Sequence, residues 1–353
     1  MISIQRASQL KAKPDFHQLG FGQFFTDHLF QVEYSADLGW HRPQIIPYQN
    51  FQIDPGAAVL HYGQALFEGM KAFRQKSGDI VLFRPEYNCH RLQQGAARLC
   101  MQAPPKDLML EGIRKLVEVE KDWVPSQKGC SLYIRPTLIG TEAFLGVRPS
   151  EKYLFYVILS PVSSYYKEGL NPISIFVEEY FVRAAPGGLG STKAGANYAS
   201  SLLAALEAKK KGYAQVLWLD VNHQHIEEVG TMNVFFQIGN EIITPSLDGT
   251  ILAGGVRDCV IEILKDWGFS VSQRKLKVDE VFSALKSGEL REAFGTGTAA
   301  VISPIGKLHY KGQDWTLNDQ KIGPLAQRLY DEITALQTGE APDSRGWLSK
   351  VLS

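Results

Sequence analysis
The sequence predicts an α+β protein in two domains, and three observations carry that expectation. At 353 residues the chain has the length of two ordinary domains, each large enough for its own core. Strand-like and helix-like stretches mix in the first half without regular alternation. Between Pro161 and Arg183 the pattern weakens, with Ser163, Ser164, Gly169, Asn171 and Pro172 close together, before a second run of elements begins. The expected division is a small α+β domain over 1–168, an interdomain segment over 169–185, and a larger domain over 186–353.

In chain order, Phe25 to Tyr34 reads as a strand and Gln44 to Tyr48 as a short one before the Asp54-Pro55-Gly56 turn. Met70 to Arg74 and Ile80 to Phe83 form a hairpin around Lys76-Ser77-Gly78-Asp79. Pro85, suited to a first helical position, opens a helix to about Met101 with Leu92, Ala96 and Leu99 on its apolar stripe. A second helix is expected from about Lys106 to Trp123, with Leu108, Ile113, Leu116 and Val117 inward. Ser131 to Leu138 and Tyr153 to Leu159 read as strands, and Ile173 to Val177 has strand composition within the weak segment.

Past that segment, a helix runs to about Lys211, followed by a strand from Gln215 to Leu219 and a hairpin of Val234–Ile238 with Glu241–Thr244 around Gly239-Asn240. Gly254-Gly255-Val256 opens an apolar helix through Leu264. Val278 to Leu285 is a further helix, Ala299 to Ile305 a strand, and Pro324 to Leu336 a closing helix.

Composition excludes several classes. Lys+Arg 37 balances Asp+Glu 37, so no global field recruits nucleic acid or an anionic membrane. The opening stretch MISIQRASQLKAKPDF has no apolar core of signal-peptide length and no apolar run is long enough to cross a bilayer, so a cytoplasmic protein is expected. Cys89, Cys100, Cys130 and Cys259 lack metal or redox spacing, and His61, His223 and His225 lack partner ligands for zinc.

The chemistry centres on Lys193. Pro186-Gly187-Gly188-Leu189-Gly190 precedes it, and an apolar helix, Ser201 to Leu206, follows. A tightly turning glycine-rich backbone thus hands over to a rigid element at an amine, which leaves room for a bulky planar group. A P-loop requires Gly-Lys-Ser/Thr, whereas Ser191 and Thr192 precede Lys193 here. A solvated loop lysine is the plain alternative. The other reading is an amine that takes the aldehyde of pyridoxal 5'-phosphate (PLP).

That cofactor needs a partner for its phenolic oxygen, an anion beside its ring nitrogen and a cradle for its phosphate. Tyr198 offers the first and Glu228 the second. Gly254-Gly255-Val256, at a helix N-terminus, and the glycine-lined Gly295-Thr296-Gly297-Thr298-Ala299 turn both suit an anion, with Arg91 as a fixed positive charge. Taken singly, each of these has an ordinary structural explanation.

Together they are specific. HYGQALFEGMKAF, FRPEYNCHRL, SLYIRPTLIGTEAFLGV, STKAGANYASSL, EEVGTMN, AGGVRD and GTGTAAVISP, in this order, resemble the branched-chain amino-acid aminotransferases, PLP enzymes of fold type IV, in the larger form shared with eukaryotes. The resemblance covers nearly the whole chain. It implies a D-amino-acid-aminotransferase-like fold with the active site in the cleft between two domains, and transamination between leucine, isoleucine or valine and 2-oxoglutarate. By position, Lys193 resembles the catalytic, cofactor-bearing lysine. Tyr198, Glu228, Thr231, Arg91, Gly255, Val256 and Thr298 resemble the other cofactor contacts. Phe21, Tyr62, Phe67, Tyr133, Arg135 and Tyr165 match the side-chain pocket, while Thr231 and Ala299 match the holders of the substrate α-carboxylate. Val147 matches a residue that reaches a neighbouring subunit's site, implying a homodimer. A D-amino-acid aminotransferase, an aminodeoxychorismate lyase and a cofactor-free binding protein are the alternatives. The Tyr133/Arg135 pair argues against the first two, and the full set of Lys193, Tyr198, Glu228 and Arg91 against the third.

Strand alternation in Ser131-Leu132-Tyr133-Ile134-Arg135 puts Tyr133 and Arg135 on one face. Aromatic walls suit an alkyl chain, and Arg135 with tyrosine hydroxyls suits the γ-carboxylate of glutamate. Mammalian members carry a Cys-x-x-Cys pair where this chain has Ala300 and Ser303. Mild peroxide is therefore expected to leave activity unchanged through that turn, and a reversible inactivation mapped there would refute this.

Overall fold
The computed structural model describes residues 1–163 and 170–351. It divides into two units, one of Met1–Lys167, Thr192–Ala196 and Ala335–Ser353, the other of Glu168–Ser191 and Asn197–Thr334. The sequence assigns 192–196 and 335–353 to the larger domain, whereas their packing places them with the first unit. Two pairings account for this: Leu66 bridges to Ala194, and Leu348–Lys350 pairs with Ile80–Phe83.

The first unit is a nine-stranded sheet. Its order is Ser3–Ile4, Gly39–Pro47, His28–Ser35, Lys152–Val162, Ser131–Gly140, Met70–Arg74, Ile80–Phe83 and Leu348–Lys350, with Ala65–Phe67 also on Ser131–Gly140. Apart from the two-residue Ser3–Ile4 pair, its strand pairs are antiparallel. One face buries Phe30, Val32, Leu132, Ile134, Phe155 and Val157 against two helices. Helix Pro85–Arg98 presents Cys89, Leu92 and Ala96 to that core; helix Lys106–Val119 presents Met109, Ile113, Leu116 and Val117. Gly112 is required there, because a Cβ would run into the Phe30 ring.

The second helix stops at Val119 rather than near Trp123, and Lys121–Trp123 continues as a single 3₁₀ turn. Side-chain bonds take over from the helical ladder. Glu120 meets His28 Nδ1, and Trp123 Nε1 donates to Asp27 Oδ2 at 2.8 Å.

The second unit carries its own nine-stranded sheet. The order is Ile226–Val229, Gln215–Leu219, Ile173–Val177, Val301–Tyr310, Leu290–Gly297, Asn233–Ile238, Glu241–Thr244 and Ser270–Gln273, with Gln313–Thr316 also on Val301–Tyr310. Helices Gly255–Asp266 and Val278–Ser287 bury Cys259, Val260, Ile263, Val281 and Phe282. Ile173–Val177, within the weak stretch of sequence, is a central strand with Ile175 and Val177 fully buried. The strand expected from Ala299 begins at Val301, because 298–300 turn the chain out of Leu290–Gly297. Helix Gly195–Lys210 buries only its small face, Ala204 and Ala208, against Val216 and Trp218, while Leu202, Leu203 and Leu206 face outward. Among the described residues no helix is long and apolar enough to cross a membrane.

Candidate active site
In the first unit, Lys193 is fixed by its backbone. Its carbonyl accepts from Phe67 N at 3.1 Å, and Ala194 bridges to Leu66, so the lysine segment lies along strand Ala65–Phe67. The Lys193 Nζ sits 4.7 Å from the centre of the Phe67 ring. Burial, reinforced by the nearby Arg91 charge, pushes its ammonium down to about 8, against the partial opposition of Glu68. An ordinary exposed lysine ionises more than two units higher. An amine that becomes neutral near physiological pH is suited to carbonyl chemistry.

The side chains expected to line the substrate pocket gather in the same unit. Arg135 lies 4.6 Å over the Phe67 ring and donates through Nη2 to the Tyr133 hydroxyl at 3.1 Å. The Phe21 and Tyr133 rings meet edge-on with centres 5.0 Å apart. Gly69 is essential to this packing, because a Cβ there would collide with the Tyr133 hydroxyl. Gly69→Ala is expected to displace Tyr133, costing about 1–3 kcal/mol of stability as overpacking does; urea unfolding of the variant measures it. Tyr62 is placed differently, on a short helix, Ala58–Tyr62. Its hydroxyl donates to the Leu145 carbonyl and its ring stacks beside Phe144. Val147 is 90% exposed, and Tyr165 lies outside the described residues.

Arg91, expected as a phosphate ligand, forms a two-point pair with Glu68. Nε donates to Oε1 and Nη2 to Oε2, both at 2.7 Å, and Asn88 Nδ2 donates to Oε2 at 2.8 Å. Burial raises the Glu68 carboxyl, but the charge and hydrogen bonds of Arg91, with help from Lys193 and Asn88, outweigh it and hold the group below its ordinary value. Sequence reasoning missed Glu68, although a lone acid inside the apolar run Ala65-Leu66-Phe67-Glu68-Gly69-Met70 signals a buried partner. It also missed Lys71, which stands directly opposite Tyr133 in the sheet and whose amine burial pushes down to about 8.

In the second unit, Glu228 is buried on strand Ile226–Val229, where its Oε1 accepts from Leu252 N at 2.8 Å. Its Oε2 lies 3.4 Å from Arg183 Nε, and Arg183 Nη2 donates to the Thr250 carbonyl. Arg183, too, escaped sequence reasoning, since it sits at the end of the weak segment. Gly255 and Val256 form the first turn of helix Gly255–Asp266, to which Gly254 brings no capping side chain. A Cβ at Gly254 would strike Asn233 Oδ1, so the loop tolerates only glycine there. Thr298 and Ala299 occupy the turn before Val301–Tyr310, Thr231 is exposed beside strand Asn233–Ile238, and Tyr198 lies in the first turn of helix Gly195–Lys210. Among the described residues no cluster of His, Cys, Asp and Glu could hold a metal ion.

Comparison with known proteins agrees with this chemistry. Residues 65–308 match the model of amino-transferase class IV. The chain is 52% identical over 351 residues to branched-chain-amino-acid aminotransferase 2 of Bacillus subtilis (strain 168), covering 99% of this chain and 97% of the relative. It is 44% identical over 338 residues to the branched-chain-amino-acid aminotransferase of Mycolicibacterium smegmatis, covering 94% and 92%. Among solved structures, the Escherichia coli branched-chain amino acid aminotransferase superposes with TM-score 0.76 at 27% identity, covering 92% of this chain and 99% of that one. The T.th. branched-chain amino acid aminotransferase with pyridoxamine 5'-phosphate gives 0.76 at 26%, covering 91% and 98%. The chain belongs to the class IV amino-transferase family.

Proposed function
We infer that this chain is a PLP-dependent branched-chain-amino-acid aminotransferase that takes amino groups from leucine, isoleucine and valine. The observation that carries this reading is the buried Lys193 amine, pushed down to about 8, beside Phe67, Tyr133 and Arg135. Full-length relatives bearing that activity in their names support it. The residues present fit the cofactor. Lys193 supplies a neutral amine for its aldehyde, Glu228 a buried carboxylate for its ring nitrogen, and Tyr198 a phenol for its phenolic oxygen. Arg91, Thr298 and the helix start at Gly255 and Val256 suit its phosphate. When bound, PLP supplies an electron sink for the substrate α-carbon.

The roles of the chain's own groups follow. Lys193 moves the proton between the substrate α-carbon and the cofactor's C4' carbon. Phe21, Phe67 and Tyr133 enclose the alkyl chain, with Tyr62 and Tyr165 assigned to the same pocket by resemblance. Arg135 with the Tyr133 hydroxyl receives the γ-carboxylate of glutamate, so that 2-oxoglutarate closes the cycle. Thr231 and Ala299 hold the α-carboxylate.

An absorbance spectrum of the purified protein tests this directly. A visible-to-near-ultraviolet band that shifts with L-leucine and returns with 2-oxoglutarate supports the whole reading. A band that answers D-leucine instead retains the cofactor and overturns the substrate, and no band after added PLP overturns the role of Lys193.

We further propose a cytoplasmic homodimer. Leu202, 66% exposed, with Leu203 and Leu206 forms a continuous apolar stripe on one helix, a surface that soluble monomers avoid. Exposed Leu145 and Val147 support the family's pattern of a loop that reaches a second subunit. The Leu202→Glu/Leu206→Glu double variant is expected to run as a monomer in light scattering coupled to gel filtration. An unchanged dimer would refute that stripe as the interface.

A further inference from the structure
Beside Glu228 in the sequence stands a second buried acid, Glu227, to which none of the roles above assigns a function. Both side chains are buried, at 5% and 4% exposure, on the same four-residue strand, Ile226–Val229. The Arg183 charge acts on both. Arg183 ion-pairs with Glu228 Oε2 at 3.4 Å and donates to the Thr250 carbonyl, while the Thr250 side chain and the Arg183 charge both act on Glu227. Glu227 Oε2 is buried without a hydrogen-bond partner among the described residues. Three acids, Glu227, Glu228 and Asp248, around the Arg183 guanidinium, with one buried carboxylate oxygen lacking a hydrogen-bond partner among the described residues, form a built cluster rather than a solvated surface.

We propose that Glu227 is a positioning residue that competes with Glu228 for Arg183, so that its ionisation sets how much negative charge Glu228 presents to the cofactor's ring nitrogen. The inference rests on Glu228 as the partner of that nitrogen. With Glu227 protonated, Arg183 neutralises Glu228 alone. With Glu227 ionised, the guanidinium is shared and Glu228 is left more negative, which favours a protonated ring. The charged groups facing Glu227 are Glu228 on its own strand, Arg183 from the segment after Ile173–Val177, and Asp248 from the loop before helix Gly255–Asp266. Burial pushes the Glu227 carboxyl up to about 7, with Glu228 and Asp248 adding to the rise and Thr250 and Arg183 opposing it. The switch therefore falls near neutral pH.

The test is the affinity of the full-length apoprotein for PLP between pH 6 and 8, measured for wild type and for Glu227→Gln, Glu227→Ala, Glu227→Asp and Glu228→Gln. Taking the ratio of wild type to Glu227→Gln cancels the titrations of the cofactor phosphate and of Lys193, which both proteins share. That ratio is expected to rise about tenfold in favour of wild type from pH 6 to 8, as Glu227 ionises. Glu227→Ala should repeat the trend, and Glu227→Asp should restore part of the wild-type profile. In a Glu228→Gln background the dependence should vanish. A flat ratio, or a slope that persists without Glu228, overturns the proposal. If Glu228→Gln weakens PLP binding while the ratio stays flat, only the role of Glu227 falls. If Glu228→Gln binds PLP as wild type at every pH, the Glu228 reading fails and takes this inference with it.

Discussion
Replacing Lys193 by alanine is expected to reduce transamination of L-leucine by about 10⁴-fold or more, the upper end of what loss of a positioned proton-transfer group costs. The fold should survive. The bond from Phe67 N to the Lys193 carbonyl, which the substitution leaves in place, holds the segment, and removing a buried amine relieves a desolvation cost. Stopped-flow spectra after mixing with L-leucine, together with an unfolding curve, separate lost chemistry from lost structure. A variant that retains a tenth of wild-type turnover would refute the assignment. The lowered ionisation also fixes a direction with pH. Below about 8 the amine is increasingly protonated and unreactive, so wild-type apoprotein should capture PLP about fivefold faster at pH 8 than at pH 7, roughly double again by pH 9 and level off above. A rate still climbing tenfold per unit at pH 9.5 would show a lysine without its burial.

Glu68→Ala is expected to destabilise the protein by about 3–5 kcal/mol, the cost of stranding one charge of a buried pair. Arg91 would lose both of its short bonds to the Glu68 carboxylate, and Asn88 one of its acceptors. Urea midpoints at constant slope read the loss. Glu68→Leu combined with Arg91→Met should recover much of that stability, because an apolar pair of similar volume does not need paired solvation. The double variant should nevertheless bind PLP poorly, since a guanidinium assigned to the phosphate is gone. If Glu68→Ala costs less than about 1 kcal/mol, the value of an exposed pair, then Arg91 is hydrated in solution and the pair is marginal.

Much of this was legible in the sequence where a local pattern and a physical constraint coincided. The Met70–Arg74 and Ile80–Phe83 hairpin and the helix opened by Pro85 stand where periodicity and turn residues put them. Leu290–Gly297 escaped because its Arg291, Glu292 and two glycines break the alternation; Glu292 is instead satisfied by the amides of Leu325 and Ala326. Ala65–Phe67 and Leu348–Lys350, three residues each, are strands only because a partner strand waits for them. Within the candidate site, Lys193 and Glu228 announce themselves through glycines and neighbouring motifs. Glu68, Lys71 and Arg183 do not, since what distinguishes them is burial beside a partner far away in sequence.

The late return of the chain to the first sheet bears on how the protein is made. Leu348–Lys350 completes an edge whose partner, Ile80–Phe83, leaves the ribosome more than 260 residues earlier. The lysine segment likewise reaches Leu66 only after the intervening strands have been synthesised. Such long-range pairing is slow, and its unpaired edge stays open meanwhile. A nascent chain halted before residue 348 should therefore display the Ile80–Phe83 edge to other chains, which makes the first-born half of the molecule the last to be sealed.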